Sequence, residues 1–276
     1  MMDVVAVCGS ASYSAARAPV TSRTFRFRLG ALGRARSPLA LAVLVLACAD
    51  GRAWAAAPIE AGPRDCPQLA LTFDLCPVSH APGFEAALVQ MLIERQVPAT
   101  FFASGRWMAK HDGALRELLA VPFFEIGTHG ARHLHLPTLA APAQRAEIGG
   151  AVELLAQRFG RPSSLFRPPY GEYDQTSLAI TEALGLRVIT WDVVSGDPSR
   201  TLSAQHMWSA IESRIEAGSI VVFHANGNGH HTQALVTRMI DELAVARGWR
   251  FVTVSTLLDG CAHESDAPAS AAGGAP

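Results

Sequence analysis

The chain has 276 residues, with 23 Lys and Arg against 24 Asp and Glu, a formal net charge of −1 and 49% hydrophobic residues. That is enough apolar material for a sizeable core, and the absence of a basic stripe from the main body argues against a nucleic-acid partner. No apolar run approaches the ~20 residues that span a bilayer as a helix, so no stable membrane span is expected.

The chain opens on a segment unlike the rest. Arg23, Arg26, Arg28, Arg34 and Arg36 precede an apolar run from Pro38 to Ala49. Small residues follow, Ala53-Trp54-Ala55-Ala56-Ala57, and then Pro58. A basic region, a short apolar core and an A-x-A exit describe a secretory signal. Residues 1–57 are therefore read as an upstream basic segment plus signal peptide, with cleavage near Ala55 to Ala57 and a periplasmic or extracellular product. Cleavage before Cys48, as in a lipoprotein, ranks lower because Leu46 fits that pattern poorly. Residues 58–263 are one domain's length, and the Ala/Gly/Ser/Pro-rich residues 264–276 read as a disordered tail. A monomer is the default expectation.

Export leaves Cys66, Cys76 and Cys261, which permits one bridge in an oxidising compartment. Cys66 and Cys76 flank a single extended strand. At ~3.3 Å per residue their Cα atoms stand far beyond the ~7 Å limit for a disulfide. Pairing Cys66 with Cys261 would join the two ends of the domain and leave Cys76 outside the bridge.

In chain order, strands alternate with helices. Residues 69–73 read as a strand, 83–96 as a helix and 99–104 as the next strand. Asp112 is expected to cap a helix through Leu119, followed by a short strand over 124–127. Residues 141–159 form a helix with Ile148, Val152 and Leu155 on one face. Residues 165–169 run from a strand into a loop, and Asp174 caps a helix through Leu184. Residues 187–193 read as one strand, and Ser203 caps a helix through Ala217. A strand over 219–225, a helix over 231–247, a strand over 250–254 and a short helix at Ser255 complete the series. Continuous apolar runs such as Ile220-Val221-Val222-Phe223 suit strands covered on both faces, hence a parallel sheet. About seven strands alternating with helices fit an α/β barrel or an open doubly wound sheet. No G-x-G-x-x-G follows the first strand, which weakens a dinucleotide fold.

Polar residues gather just past the strand ends: Asp74, His129, Arg167, Tyr170, Asp192, Asp197 and His224. In a parallel α/β barrel that end is where an active site is built. His129 and His133, at i and i+4, share one face if the segment is a helical turn, and their imidazoles can then converge on one metal ion. The bland alternative is two surface histidines on a loop. Arg167-Pro168-Pro169-Tyr170-Gly171 reads as a rigid turn. His224, after four apolar residues, is either a core histidine or a delivered acid. In Asn226-Gly227-Asn228-Gly229 the Asn-Gly steps favour turns with positive φ. This segment is either a tight connection or a loop presenting amides, such as that of Asn226, to sugar hydroxyls.

The ordered set Thr72-Phe73-Asp74, Thr128-His129-Gly130-Ala131-Arg132-His133, Arg167-Pro168-Pro169-Tyr170-Gly171, Trp191-Asp192-Val193-Val194-Ser195-Gly196-Asp197 and Val221-Val222-Phe223-His224-Ala225-Asn226-Gly227 resembles the polysaccharide deacetylase family, the NodB-homology domain of carbohydrate esterase family 4. The resemblance covers about residues 66 to 258. It implies a distorted (β/α) barrel of about seven parallel strands and a metal-dependent hydrolase acting on N-acetylated glycans. It further implies a divalent metal, zinc before others, held by His129 and His133. Asp74 matches the general base, Arg167 the arginine that holds it, and His224 the general acid. Tyr170 matches an oxyanion donor through its backbone N–H, and Trp191 a pocket wall. Asp197 resembles the family's partner-orienting acid, with Asp192 as competitor because the spacing differs.

One position departs from the pattern. The family's first motif is usually T-F-D-D, its second Asp a metal ligand, and Leu75 stands there in this chain. Three explanations compete. Asp74 itself coordinates the ion, which is the favoured one, or Cys76 supplies a soft ligand, or metal binding is weak or lost. The same constellation would also serve an O-acetyl esterase, and Leu75 would suit a glycan-binding relic of the fold.

Overall fold

The computed structural model describes residues 57–79 and 82–261. The expected signal segment and the Ala/Gly-rich tail lie outside the described residues. Eight strands form one sheet in which the pairings between strands are all parallel. They are β1 (Gln68–Leu75), β2 (Ala99–Ala103), β3 (Phe124–Thr128), β4 (Leu165–Phe166), β5 (Arg187–Val188), β6 (Val193–Val194), β7 (Ile220–His224) and β8 (Arg250–Val252). The order is β5-β4-β3-β2-β1-β7-β6, and β8 pairs with the first residues of β1.

Topology forces the sheet to curl. Laid flat, six inter-strand steps of ~4.8 Å would put β5 and β6 about 29 Å apart. Only residues 189–192 separate those two strands, and five peptide steps reach at most about 18 Å. The sheet therefore closes towards a barrel, open between β5 and β6. The segment before β1 lies across that opening, where Ile59 bridges Ile189 and Ala61 bridges Ser219. The single strand expected over 187–193 is thus two short strands at opposite edges, and its middle crosses the opening.

The described residues form eight α-helices: α1 (Ala86–Glu94), α2 (Gly105–Lys110), α3 (Asp112–Ala120), α4 (Ala141–Phe159), α5 (Gln175–Ala183), α6 (Ala204–Glu212), α7 (Thr232–Met239) and α8 (Val254–Leu258). Asp174 caps α5 as expected, accepting from the Ser177 N–H at 2.8 Å while the Ser177 hydroxyl receives the Asp174 N–H, a capping box. Ser203 caps α6 through the His206 N–H. Helix α2 has no counterpart in the periodicity. It starts at Ser104, whose hydroxyl accepts the Trp107 N–H, and it leaves Asp112 as the first residue of α3 rather than its cap. Asp112 instead accepts from Arg116 and Arg158. No helix among the described residues is long and apolar enough to cross a membrane.

Strand alternation sorts the side chains into two layers. On β1, Leu69, Leu71, Phe73 and Leu75 face the helices in the main core, where Phe73 stacks between Phe101 and Phe223 with ring centroids 5.2 and 5.9 Å away. The alternate residue Ala70 belongs to a second cluster with Phe102, Leu165, Ile189 and Ile220. Thr72 and Asp74 share the parity of Ala70, so Asp74 is the polar end of an inward-facing row.

Cys66 and Cys261 form a disulfide with their Cα atoms 6.2 Å apart and a sequence separation of 195. It ties the two ends of the domain together. A cross-link of this kind restricts the unfolded chain, and its loss costs about 2–5 kcal/mol. Cys66→Ser is expected to lower the Tm by roughly 5–15 °C, at ~2–4 °C per kcal/mol for a domain of this size, in a thermal melt by circular dichroism. An unchanged Tm would show that the sheet alone holds the ends.

Candidate active site

Asp74, the penultimate residue of β1, lies beside His224, its register partner on β7. It is 3% exposed, and Arg167, fully buried, donates to its Oδ1 at 2.8 Å. Arg167 follows β4, and two more of its five N–H groups are engaged: Nε by the Ile189 carbonyl at 3.4 Å and Nη2 by the Thr190 carbonyl at 3.1 Å. Its guanidinium carbon lies 4.1 Å from the Phe102 ring centroid and 5.4 Å from that of Trp191. Burial pulls the Arg167 guanidinium below its ordinary pKa, and the Asp74 carboxylate opposes that. The pair is thus held in a dry setting where each charge needs the other.

The two histidines converge, but not on a helix. The residues after β3 are a loop with left-handed backbone at Gly130 (φ 73°) and His133 (φ 66°). The expected helical turn is therefore replaced, and the reason lies in α4. Glu147, fully buried there, accepts the Arg132 N–H at 2.8 Å and the Leu134 N–H at 3.1 Å through Oε1, and its carbonyl accepts the Ala131 N–H at 2.7 Å. Three loop amides that a helix would have pointed along its own axis are satisfied from outside. His133 Nε2 sits 3.1 Å from His129 Nε2, and His129 Nδ1 donates to the Arg167 carbonyl at 2.9 Å. A carbonyl only accepts, so Nδ1 carries a hydrogen, and in the neutral imidazole Nε2 is the lone-pair nitrogen that faces inward. Asp74 Oδ2 is 3.6 Å from that Nε2.

A divalent ion fits this donor set. Two nitrogens on one tetrahedral zinc, at ~2.0–2.1 Å each, stand about 3.3 Å apart, close to the observed pair. Donor atoms of Cys76, His129 and His133 all lie within 4.8 Å of one another, and the three residues are buried. The Arg167 carbonyl behind His129 is the outer partner that fixes a ligating imidazole's tautomer.

His224 is oriented by Asp197. Its Nδ1 lies 2.9 Å from Asp197 Oδ1, and its backbone N–H donates to Asp197 Oδ2 at 2.8 Å. Asp197 is fully buried and also accepts from the Ser195 hydroxyl at 2.9 Å and the Thr232 hydroxyl at 2.8 Å. Asp192, its competitor, lies at the other end of β7. There it accepts from Arg64, Ser219 and the Ile220 N–H, which fastens the segment before β1 and keeps it away from the site.

Tyr170 sits in a left-handed conformation (φ 61°, ψ 5°) on the Pro169–Gly171 turn. Its ring stacks on His135 at 3.8 Å between centroids and meets the His133 ring edge-on at 4.5 Å. Trp191, half-buried, covers Arg167 and presses against Gly171, where an added Cβ would fall 2.9 Å from the indole. Asn226 follows β7. It is fully buried, its amide donates to the Cys76 carbonyl at 3.0 Å, and its Oδ1 accepts the Asn228 N–H at 3.1 Å. These contacts brace the chain just past β1.

Sequence reading missed Glu147. A signal was present: on α4 the buried residues Gln144, Glu147, Ile148, Ala151 and Leu155 form one helical stripe, and a carboxylate inside such a stripe needs donors.

A family model described as Polysaccharide deacetylase matches residues 61–189. A chitooligosaccharide deacetylase from Bradyrhizobium sp. (strain ANU 289) is 31% identical over 160 residues, covering 56% of this chain and 68% of that protein. The chain thus belongs to the polysaccharide deacetylase family. A bifunctional xylanase/xylan deacetylase from Cellvibrio japonicus is 30% identical over 175 residues, covering 63% of this chain. This chain spans only a quarter (25%) of that relative's length. Among solved structures, BA3943, a CE4 family pseudoenzyme from Bacillus anthracis, superposes with a TM-score of 0.64 at 22% identity, over 74% of this chain and 69% of that one. A likeness at that identity supports the fold.

Proposed function

We propose that the protein is an exported, metal-dependent deacetylase that hydrolyses N-acetyl groups on amino-sugar glycans. One observation carries the reading: two oriented dyads, Asp74 with Arg167 and His224 with Asp197, end neighbouring strands beside a converging histidine pair. Such an arrangement offers a proton acceptor and a proton donor at one acyl centre. Export is supported by the basic, apolar and small-residue succession of residues 23–57 and by the Cys66–Cys261 disulfide, which needs an oxidising compartment.

In this reading, Asp74 takes a proton from the attacking water. Arg167 occupies its Oδ1 and leaves Oδ2 facing the histidines. The water oxygen adds to the acetyl carbonyl carbon, the C–N bond breaks, and the leaving nitrogen takes a proton. His224 delivers that proton from Nε2, because Nδ1 is engaged by Asp197. The Tyr170 backbone N–H is assigned as a donor to the oxyanion, and Trp191 as a wall of the acetyl pocket. His129 and His133 would hold the divalent ion, zinc for preference. When bound, that ion acidifies water and polarises the carbonyl.

A second reading rests on Leu75, where the family's usual ligand is missing: a glycan-binding protein without turnover. The deciding experiment is acetate release from an N-acetylglucosamine oligomer by the full chain, after chelation and after adding zinc back. Chelation is expected to abolish release and zinc to restore it. No release in either state, together with retained oligomer binding, would favour the binding reading and overturn the enzyme.

A further inference from the structure

We propose that Cys76 is the third protein ligand of the metal centre, so that this chain carries a His-His-thiolate site and leaves Asp74 to act as base alone. The inference rests on the metal-binding part of the proposed function and is independent of turnover.

Strand parity supplies the first argument. Leu75 belongs with Leu69, Leu71 and Phe73 in the core between sheet and helices, and is fully buried there. It cannot turn towards the site, and it has no donor atom. The next residue with the parity of Asp74 is Cys76. Pro77 follows it, and a residue before proline is confined to extended backbone, so the alternation carries on one step past the strand. The thiol is thereby sent to the side where Asp74 and the histidines meet.

Bracing of the backbone supplies the second. The Leu75 carbonyl accepts from the Ser104 hydroxyl at 3.0 Å and the Ser104 N–H at 3.2 Å. The Cys76 carbonyl accepts from the buried Asn226 amide, and the Asp74 carbonyl from the Ala225 N–H at 3.3 Å. Residues 74–76 are therefore fixed from both flanking strands. A ligand placed by such constraints needs little reorganisation to bind an ion.

Donor chemistry supplies the third. Cys76 is 2% exposed and lies outside the Cys66–Cys261 disulfide. Its sulfur groups with nitrogens of His129 and His133 inside 4.8 Å. Asp74 contributes less well, because Arg167 already holds its Oδ1. A thiolate at 76 in place of a carboxylate at 75 keeps the ligand set's charge at −1, and ligation releases the thiol proton to solvent. What changes is softness. Sulfur and imidazole favour zinc or cobalt, whereas magnesium and manganese favour oxygen.

The test is cobalt(II) titration of the metal-free full chain, followed by absorption. A thiolate–cobalt charge-transfer band in the near ultraviolet is expected with wild type. It should disappear in Cys76→Ser, and in Cys76→Asp it should be absent while cobalt still binds. Circular dichroism melts of both variants establish that each is folded. If cobalt binds wild type without the band, if the band survives Cys76→Ser, or if wild type binds no cobalt, the proposal falls. A Cys76-dependent band without acetate release would uphold the ligand and overturn only the enzyme reading.

Discussion

Asp74→Asn is expected to lower acetate release from an N-acetylglucosamine oligomer by about 10²–10⁴-fold, the usual contribution of a positioned proton-transfer group. The argument is geometric. Asp74 stands at the end of an inward-facing row on β1, 3% exposed, with one oxygen on Arg167 and the other turned to His129 Nε2 at 3.6 Å. An asparagine keeps the shape and accepts a hydrogen bond from Arg167 through its carbonyl oxygen, but it does not take a proton from water. The loss should therefore fall on kcat, with KM for the oligomer little changed. Cobalt or zinc binding by this variant separates two roles for the same side chain. If Asp74 is base alone, metal affinity survives the substitution. If Asp74 is itself the third ligand, affinity falls together with turnover. A variant that keeps turnover within a few-fold of wild type would remove Asp74 from the chemistry.

Much of the candidate site was legible because a parallel sheet buried on both sides leaves few polar residues, and those at strand ends stand out. Asp74 and His224 each follow a run of buried strand residues, 69–73 and 220–223, and Arg167 follows Leu165-Phe166, and the fold brings all three to one end of the barrel. What could not be read locally was decided by partners far away in sequence. The spacing of His129 and His133 foretold convergence and misjudged the backbone, because the loop's amides are satisfied by Glu147 on α4. Asn226 sits among glycines and looks like a substrate loop residue, yet its amide is claimed by the Cys76 carbonyl 150 residues earlier. Asp192 and Asp197 lie only five residues apart, on either side of the Val193-Val194 pair. Only the separation of β5 from β6 puts the first at the opposite end of β7 and the second behind His224. Apolar continuity over 187–193 concealed that separation, since period alone does not report where a strand changes edge.

The buried Asp74–Arg167 pair should also dominate stability. Arg167→Met is expected to cost about 3–5 kcal/mol, because it strands a carboxylate in an apolar setting. Methionine fills a similar length against Phe102 and Trp191, so lost packing is a minor part of the change. It supplies none of the donors that Asp74 Oδ1, Ile189 O and Thr190 O now receive. Two carbonyls beside the barrel opening would then lose partners, each at ~1–3 kcal/mol if water does not enter. Urea denaturation of Arg167→Met, Asp74→Asn and the double variant measures the coupling. In the double variant the stranded charge is gone, so its stability should exceed that of Arg167→Met alone, giving a coupling of order 0.5–3 kcal/mol. Additive losses would mean that Arg167 acts through its carbonyl contacts and packing, and that the ionisation of Asp74 has to be maintained by the histidine side of the site.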